Sequence, residues 1–138
     1  MTVLIDTNVV LDVLLNNDGF IANSRSLFDL AEQKRFIGYI SASAITDIFY
    51  ISKKKLGKKI AREAIKHLLH IYYPATVTDT DIYKALDLTW DDFEDSVQFT
   101  VGEGLPADYI VTRNTQDFSS GHIPAVTPEQ FIQIIADM

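Results

Sequence analysis

Apolar residues recur along the chain in short blocks whose spacing switches between two periods. Val3, Leu4 and Ile5 form a run too short for a helix, while Val9, Val10, Val13 and Leu14 mark one face of a helix. The pattern predicts a buried strand that passes into a helix near Asp6. Asn16–Gly19 reads as a polar turn, and Ser24–Lys34 as a second helix with Leu27, Phe28, Leu30 and Ala31 inside. Arg35–Ser41 (RFIGYIS) alternates and is β-branched or aromatic, which predicts the second strand. Ser41 or Ser43 then caps a third helix with Ile45, Ile48, Phe49 and Ser52 inward, stopped at Gly57. Lys58–Tyr72 is the next helix, with Ile60, Ala61, Ala64, Ile65, Leu68 and Leu69 inside and Pro74 as its terminator.

Ala75–Thr78 is the expected third strand, and Thr78 or Asp79 caps a helix that runs to Leu88. Asp91-Asp92 lead into a helix with Phe93, Val97 and Val101 inside, broken by Gly102, Gly104 and Pro106. Asp108–Arg113 (DYIVTR) gives a fourth strand and Pro124–Thr127 a fifth, after which Pro128 at the first helical position opens a closing helix to Ile135. Strands alternate with helices, so the expected fold class is α/β: a three-layer sandwich with a central, mostly parallel sheet flanked by helices. No repeat or linker interrupts it, and residues 1–138 are expected to form a single domain. Tyr72-Tyr73 and Trp90 are expected in the core or at its edge, His67 and His70 at the surface, and His122 in a loop.

Composition narrows the chemistry. The chain has no cysteine, which removes disulfides, thiol nucleophiles and thiolate metal sites together. No apolar run reaches membrane-spanning length and no leader-like segment precedes the first strand, so a cytoplasmic protein is expected. A net charge of −7 argues against a general polyanion binder. The charge is uneven, however: seven of the twelve basic residues fall between Lys53 and Lys66, a local basic surface that also reads as an ordinary solvated helix face.

Polar acidic and amide residues at element ends or on helix faces carry the candidate chemistry. Asp6 ends the first strand, at the edge where parallel α/β sheets bind ligands; the same residue is equally suited to capping the following helix. Asp47 borders the inward face beside Ile48 and Phe49, and Asp95 flanks the Phe93–Val97 stripe. Asn114 ends the fourth strand, with Asp117 three residues on. In Asp91-Asp92-Phe93-Glu94-Asp95, the helix start accounts for Asp91, Asp92 and Glu94 as favourable first-turn acids. Asp95, furthest from that start, is accounted for least. If Asp6, Asp47, Asp95 and Asn114 converge, their all-oxygen donor set suits Mg²⁺ or Mn²⁺, and a divalent ion held in that way suits phosphodiester hydrolysis.

VLIDTNVVLD at the start, SASAITDIFYI in the middle, then DDFEDSVQ and ADYIVTRNTQDF resemble the PIN-domain family, in family order and over essentially the whole chain. The resemblance to its toxin-like members implies a metal-dependent endoribonuclease acting on single-stranded RNA, paired with an antitoxin protein that blocks the site. It also implies a homodimer. Carried across, it makes Asp6 and Asp95 metal ligands and places Asp47 where the family has Glu. Asn114 stands where many members carry a further Asp, with Asp117 or Asp108 as substitutes. Thr7, Asn8 and Thr112 match polar supporting positions. Lys54 and Lys58 are candidate phosphate contacts, although no spacing singles them out. Two other classes stand beside the nuclease. One is a phosphatase with Asp6 as phosphoryl acceptor, which wants an Asp where this chain has Asn8. The other is a catalytically degenerate PIN-like module that binds RNA or a protein without cutting.

Overall fold

A computed structural model describes residues 1–138. Five strands, β1 (Thr2–Ile5), β2 (Ile37–Ser41), β3 (Tyr73–Ala75), β4 (Tyr109–Val111) and β5 (Ala125–Val126), form one sheet in the order β3-β2-β1-β4-β5. Every neighbouring pair is parallel. Seven helices connect them: α1 (Thr7–Leu14), α2 (Ile21–Glu32), α3 (Ala42–Leu56), α4 (Lys58–Ile71), α5 (Asp79–Leu88), α6 (Phe93–Gly104) and α7 (Pro128–Ala136). A 3₁₀ turn, Thr115–Phe118, follows β4.

Side-chain alternation along the strands divides the core into two layers. Val3 and Ile5 of β1, Ile40 of β2 and Val111 of β4 face α1, α2, α3, α4 and α7. Leu4 and Ile110 face the opposite way, onto Ala85 of α5, Val97, Phe99 and Val101 of α6, and Phe118. The α/β three-layer architecture expected from the pattern is therefore the one observed.

Local chemistry fixes most helix starts. Ser41, not Ser43, caps α3 by accepting the Ala44 amide at 3.2 Å. Thr78 with Asp81, and Thr127 with Gln130, form reciprocal capping boxes at α5 and α7, and Pro128 occupies the first turn of α7. Gly57, at φ 87°, ends α3 and starts α4, a backbone conformation that a residue with a Cβ resists.

The structure corrects the pattern in four places. The third strand is Tyr73–Ala75 rather than Ala75–Thr78: Pro74 ends no helix directly but lies within an edge strand, where its missing N–H costs no ladder bond. Tyr73 is consequently exposed, whereas Tyr72 is buried against Phe28. Ile60, Leu69 and Phe93, expected inside, are exposed, because α4 and the start of α6 bury narrower stripes than their apolar residues outline. Helix α2 begins at Ile21, three residues early and without a side-chain cap. Trp90 does sit at the core edge, packed at a tilt against Phe99 with ring centroids 5.0 Å apart.

Candidate active site

The sheet order reverses at β1. The chain builds outward through β2 and β3, then returns through α5 and α6 to place β4 on the other side of β1. Helices leaving adjacent strands on opposite sides of such a point open a crevice at the carboxyl edge. Asp6 lies there, its amide donating to the Val111 carbonyl at 2.9 Å. It is only 6% exposed and caps α1.

Four donors hold the Asp6 carboxylate. Oδ1 accepts from the Thr7 amide at 2.8 Å and from Gln98 Nε2 at 2.6 Å. Oδ2 accepts from Thr112 Oγ1 at 2.7 Å and from Asn8 Nδ2 at 3.3 Å. The two readings of Asp6, cap and crevice carboxylate, are thus one arrangement. Asn8 and Thr112 also tie down the end of β4: Asn8 Oδ1 accepts the Arg113 amide at 3.3 Å and Thr112 Oγ1 the Asn114 amide at 3.0 Å.

Above Asp6 lies an open cleft of about 430 Å³. Asp6, Thr7 and Asn8 come to it from the β1–α1 turn, Asp47 from α3, Glu94, Asp95 and Gln98 from α6, and Asn114 and Asp117 from beyond β4. Asp92, the cap of α6 through the Asp95 amide at 3.1 Å, lines it too. No Lys, Arg or His lines it. Burial first, then the charges of Asp92, Asp6 and Asp117, push Asp95 up to about 7. Glu94 is likewise pushed up to about 7, by burial and then by the adjoining Asp47 carboxyl, with Asp92 and Asp6 beyond. Burial and the neighbouring Asp47 carboxyl together favour the protonated form of Glu94.

The acids surround the cleft rather than meeting at a point; no three are grouped tightly enough to make a finished ligand cluster. Carboxylates offering only oxygen, with no basic side chain among them, still fit a hard divalent cation that keeps part of its water shell and needs few direct protein contacts. The buried side-chain oxygens Thr7 Oγ1 and Gln98 Oε1, both on residues lining the cleft, have no partner. The donor set therefore suits a hydrated Mg²⁺ or Mn²⁺.

Thr112, fully buried, lies beneath Asp6 rather than in the cleft. Lys54 and Lys58 are exposed and do not line it; Lys54 is one helical turn beyond Tyr50, which does. Asp108 is at the opposite edge of the sheet, where its carboxylate accepts the Thr2 amide at 2.9 Å, and it is not a substitute acid for the cleft. His67, His70 and His122 are all exposed and outside the cleft. Glu94 and Gln98 were not singled out in the sequence. The sign was their spacing, since Glu94, Asp95 and Gln98 share one face of α6 at i, i+1 and i+4.

The family model for the PIN domain matches residues 2–116. The Mycobacterium tuberculosis toxin VapC20, described as cleaving the sarcin-ricin loop, superimposes with a TM-score of 0.71 at 14% identity, over 86% of this chain and 95% of its own. A toxin–antitoxin complex from Klebsiella pneumoniae gives 0.68 at 19% identity, over 91% of this chain and 97% of the other. FitAcB from Neisseria gonorrhoeae gives 0.70 at 14% identity, over 92% and 98%. At these identities the likeness is one of fold. No functionally curated protein matches by sequence.

Proposed function

Because the chain belongs to the PIN-domain family, we propose that it is a toxin-like, metal-dependent endoribonuclease that cuts single-stranded RNA. The observation that carries this reading is the convergence of Asp6, Asp47, Glu94, Asp95 and Asp117, from four separate chain segments, on one cleft that no basic side chain lines.

In this reading Asp6 and Asp95 hold a Mg²⁺ or Mn²⁺ ion, Asp6 as the fixed carboxylate and Asp95 as the one free to adjust. When bound, the ion supplies a more acidic water and a positive contact for phosphate oxygens. Thr7, Asn8, Gln98 and Thr112 keep Asp6 in one orientation. Asp47, a methylene shorter than the family's Glu, acts through a water, and Glu94 beside it takes up or releases a proton. Asn114 is a neutral amide that cannot serve as a base, but its Nδ2 can donate to a phosphate oxygen while Asp117 provides the further negative charge. Lys54 and Lys58 contact the RNA backbone outside the cleft.

The solved structures of similar fold include a toxin–antitoxin complex and DNA-bound VapBC complexes, and the reading gives this chain an antitoxin partner, a homodimeric state and a cytoplasmic location. No helix is long and apolar enough to cross a membrane. The second reading, a degenerate module that binds without cutting, is favoured by one feature: all four acceptor positions of Asp6 are occupied and an amide replaces the last acid. Cleavage of single-stranded RNA separates the two. The nuclease cuts only with Mg²⁺ or Mn²⁺, stops in excess EDTA, and is lost in Asp95→Asn. Saturable RNA binding with no cleavage under either ion supports the second reading.

A further inference from the structure

The cleft has no cationic side chain, yet a strand threaded through it carries a phosphate at every nucleotide. Two larger cavities share lining residues with it. One meets it at Asp92, Asp95 and Asp117 and adds no basic side chain. The other, a groove of about 500 Å³ between α3 and α4, meets it at Tyr50 and is lined by Arg62 and Lys66. Tyr50 is thus the wall between an acidic hollow and a basic one.

The groove has the chemistry that a single strand needs. Lys53–Lys66 holds seven basic residues against one acid, Glu63, which also lines the groove. Neither Arg62 nor Lys66 has an acidic partner, since the ion pairs of the chain are Asp12–Arg113 and Glu103–His122. Lys58, Arg62 and Lys66 recur every fourth residue on α4, a row of charges about 6 Å apart along the helix axis. The floor is aromatic. Phe49 and Tyr50 meet edge to face with centroids 5.6 Å apart, and the Arg62 guanidinium lies 5.8 Å from the Phe49 centroid, a cation–π contact that keeps it at the groove. Tyr50 itself remains 61% exposed.

We propose that single-stranded RNA leaves the cleft across Tyr50 and continues along the α3–α4 groove, with one base stacked on the Tyr50 ring and backbone phosphates on Arg62 and Lys66. An aromatic face beside a cationic track holds single strands of any sequence. A duplex, whose bases are already paired and stacked, offers nothing to Tyr50. The proposal rests on the ribonuclease reading and extends it: the acids cut, and the adjoining groove supplies the grip that lets an acidic protein take a polyanion.

Binding of a fluorescein-labelled oligoadenylate of about 12 nucleotides to full-length Asp95→Asn, followed by fluorescence anisotropy, is read without turnover. Adding Tyr50→Ala weakens Kd ~10-fold, and Tyr50→Phe, which keeps the ring, does not. Arg62→Gln and Lys66→Gln each weaken binding and flatten the slope of log affinity against log salt by about 0.7. If Tyr50→Ala does not fold, these two exposed positions decide. A groove that seats a protein helix instead leaves RNA affinity and salt slope at the parent value in every variant, which overturns the proposal while wild-type cleavage stands. No binding by the parent also overturns it. Absence of cleavage by wild-type protein with Mg²⁺ or Mn²⁺ defeats the ribonuclease reading, whereas the affinities and slopes still report on the groove.

Discussion

Thr112 Oγ1 donates to Asp6 Oδ2 at 2.7 Å, a bond between two buried side chains that joins the ends of β1 and β4 at the point where the sheet order reverses. The donor belongs to one strand and the acceptor to its neighbour, so the register of the sheet sets the orientation of the carboxylate.

Thr112→Val keeps the shape and removes the donor. Loss of one hydrogen bond to a buried charge costs about 1–3 kcal/mol, read by urea denaturation. RNA cleavage falls by roughly 10–100-fold, the scale for residues that orient metal ligands. Thr112→Ser retains most of both.

The raised carboxylates set a pH dependence. Glu94 and Asp95 sit at about 7 in the folded chain, against about 4 in an unfolded one, so the folded state binds more protons across that interval. Their contribution to stability is complete below about pH 4 and is lost as pH rises through 7. In metal-free protein, the gain in melting temperature of Asp95→Asn over wild type is therefore larger at pH 8 than at pH 5. Mn²⁺ likewise raises the wild-type midpoint more at pH 8. Equal shifts at the two pH values contradict this.

Asp12, 1% exposed on α1, sits 2.9 Å from Arg113 Nε and accepts Asn17 Nδ2 at 2.8 Å. Arg113 lies between Thr112 and Asn114, so the pair also braces the end of β4. Arg113→Met leaves the Asp12 charge buried without its cation and costs about 3 kcal/mol, the low end for breaking such a pair because Arg113 is partly exposed. Adding Asp12→Asn recovers most of the loss. Chemical denaturation of Asp12→Asn, Arg113→Met and the double variant measures the coupling.

Gly38 of β2 lies under the Tyr72 ring, where a Cβ would overlap it. Tyr72 is 1% exposed and cannot step aside. Gly38→Ala destabilises by about 1–3 kcal/mol, seen as a lower denaturation midpoint, with RNA cleavage per folded molecule unchanged.

The layers of the fold were legible because strands and helices impose different apolar periods, and β1, β2, β4 and α7 fall close to where those periods place them. Pro74 misled because its effect depends on whether the strand is central or at an edge, which sequence order alone does not reveal. Ile60 and Leu69 misled for a related reason: the width of a buried stripe is set by the neighbouring elements. At the cleft, Asp6 stands out at a strand end and Asp95 as the acid that the start of α6 accounts for least. Glu94 looked like an ordinary first-turn acid, since only the approach of α3 brings Asp47 against it. Gln98 was concealed by the apolar residues around it, and its partner Asp6 is 92 positions away.

The most direct measurement is the anomalous difference density of a crystal soaked in Mn²⁺ at pH 8. The account predicts one strong peak between the Asp6 and Asp95 carboxylates, within about 2–2.6 Å of at least one of their oxygens and absent from Asp95→Asn crystals. A soaked crystal with no peak there, under conditions where the protein cuts RNA, contradicts it.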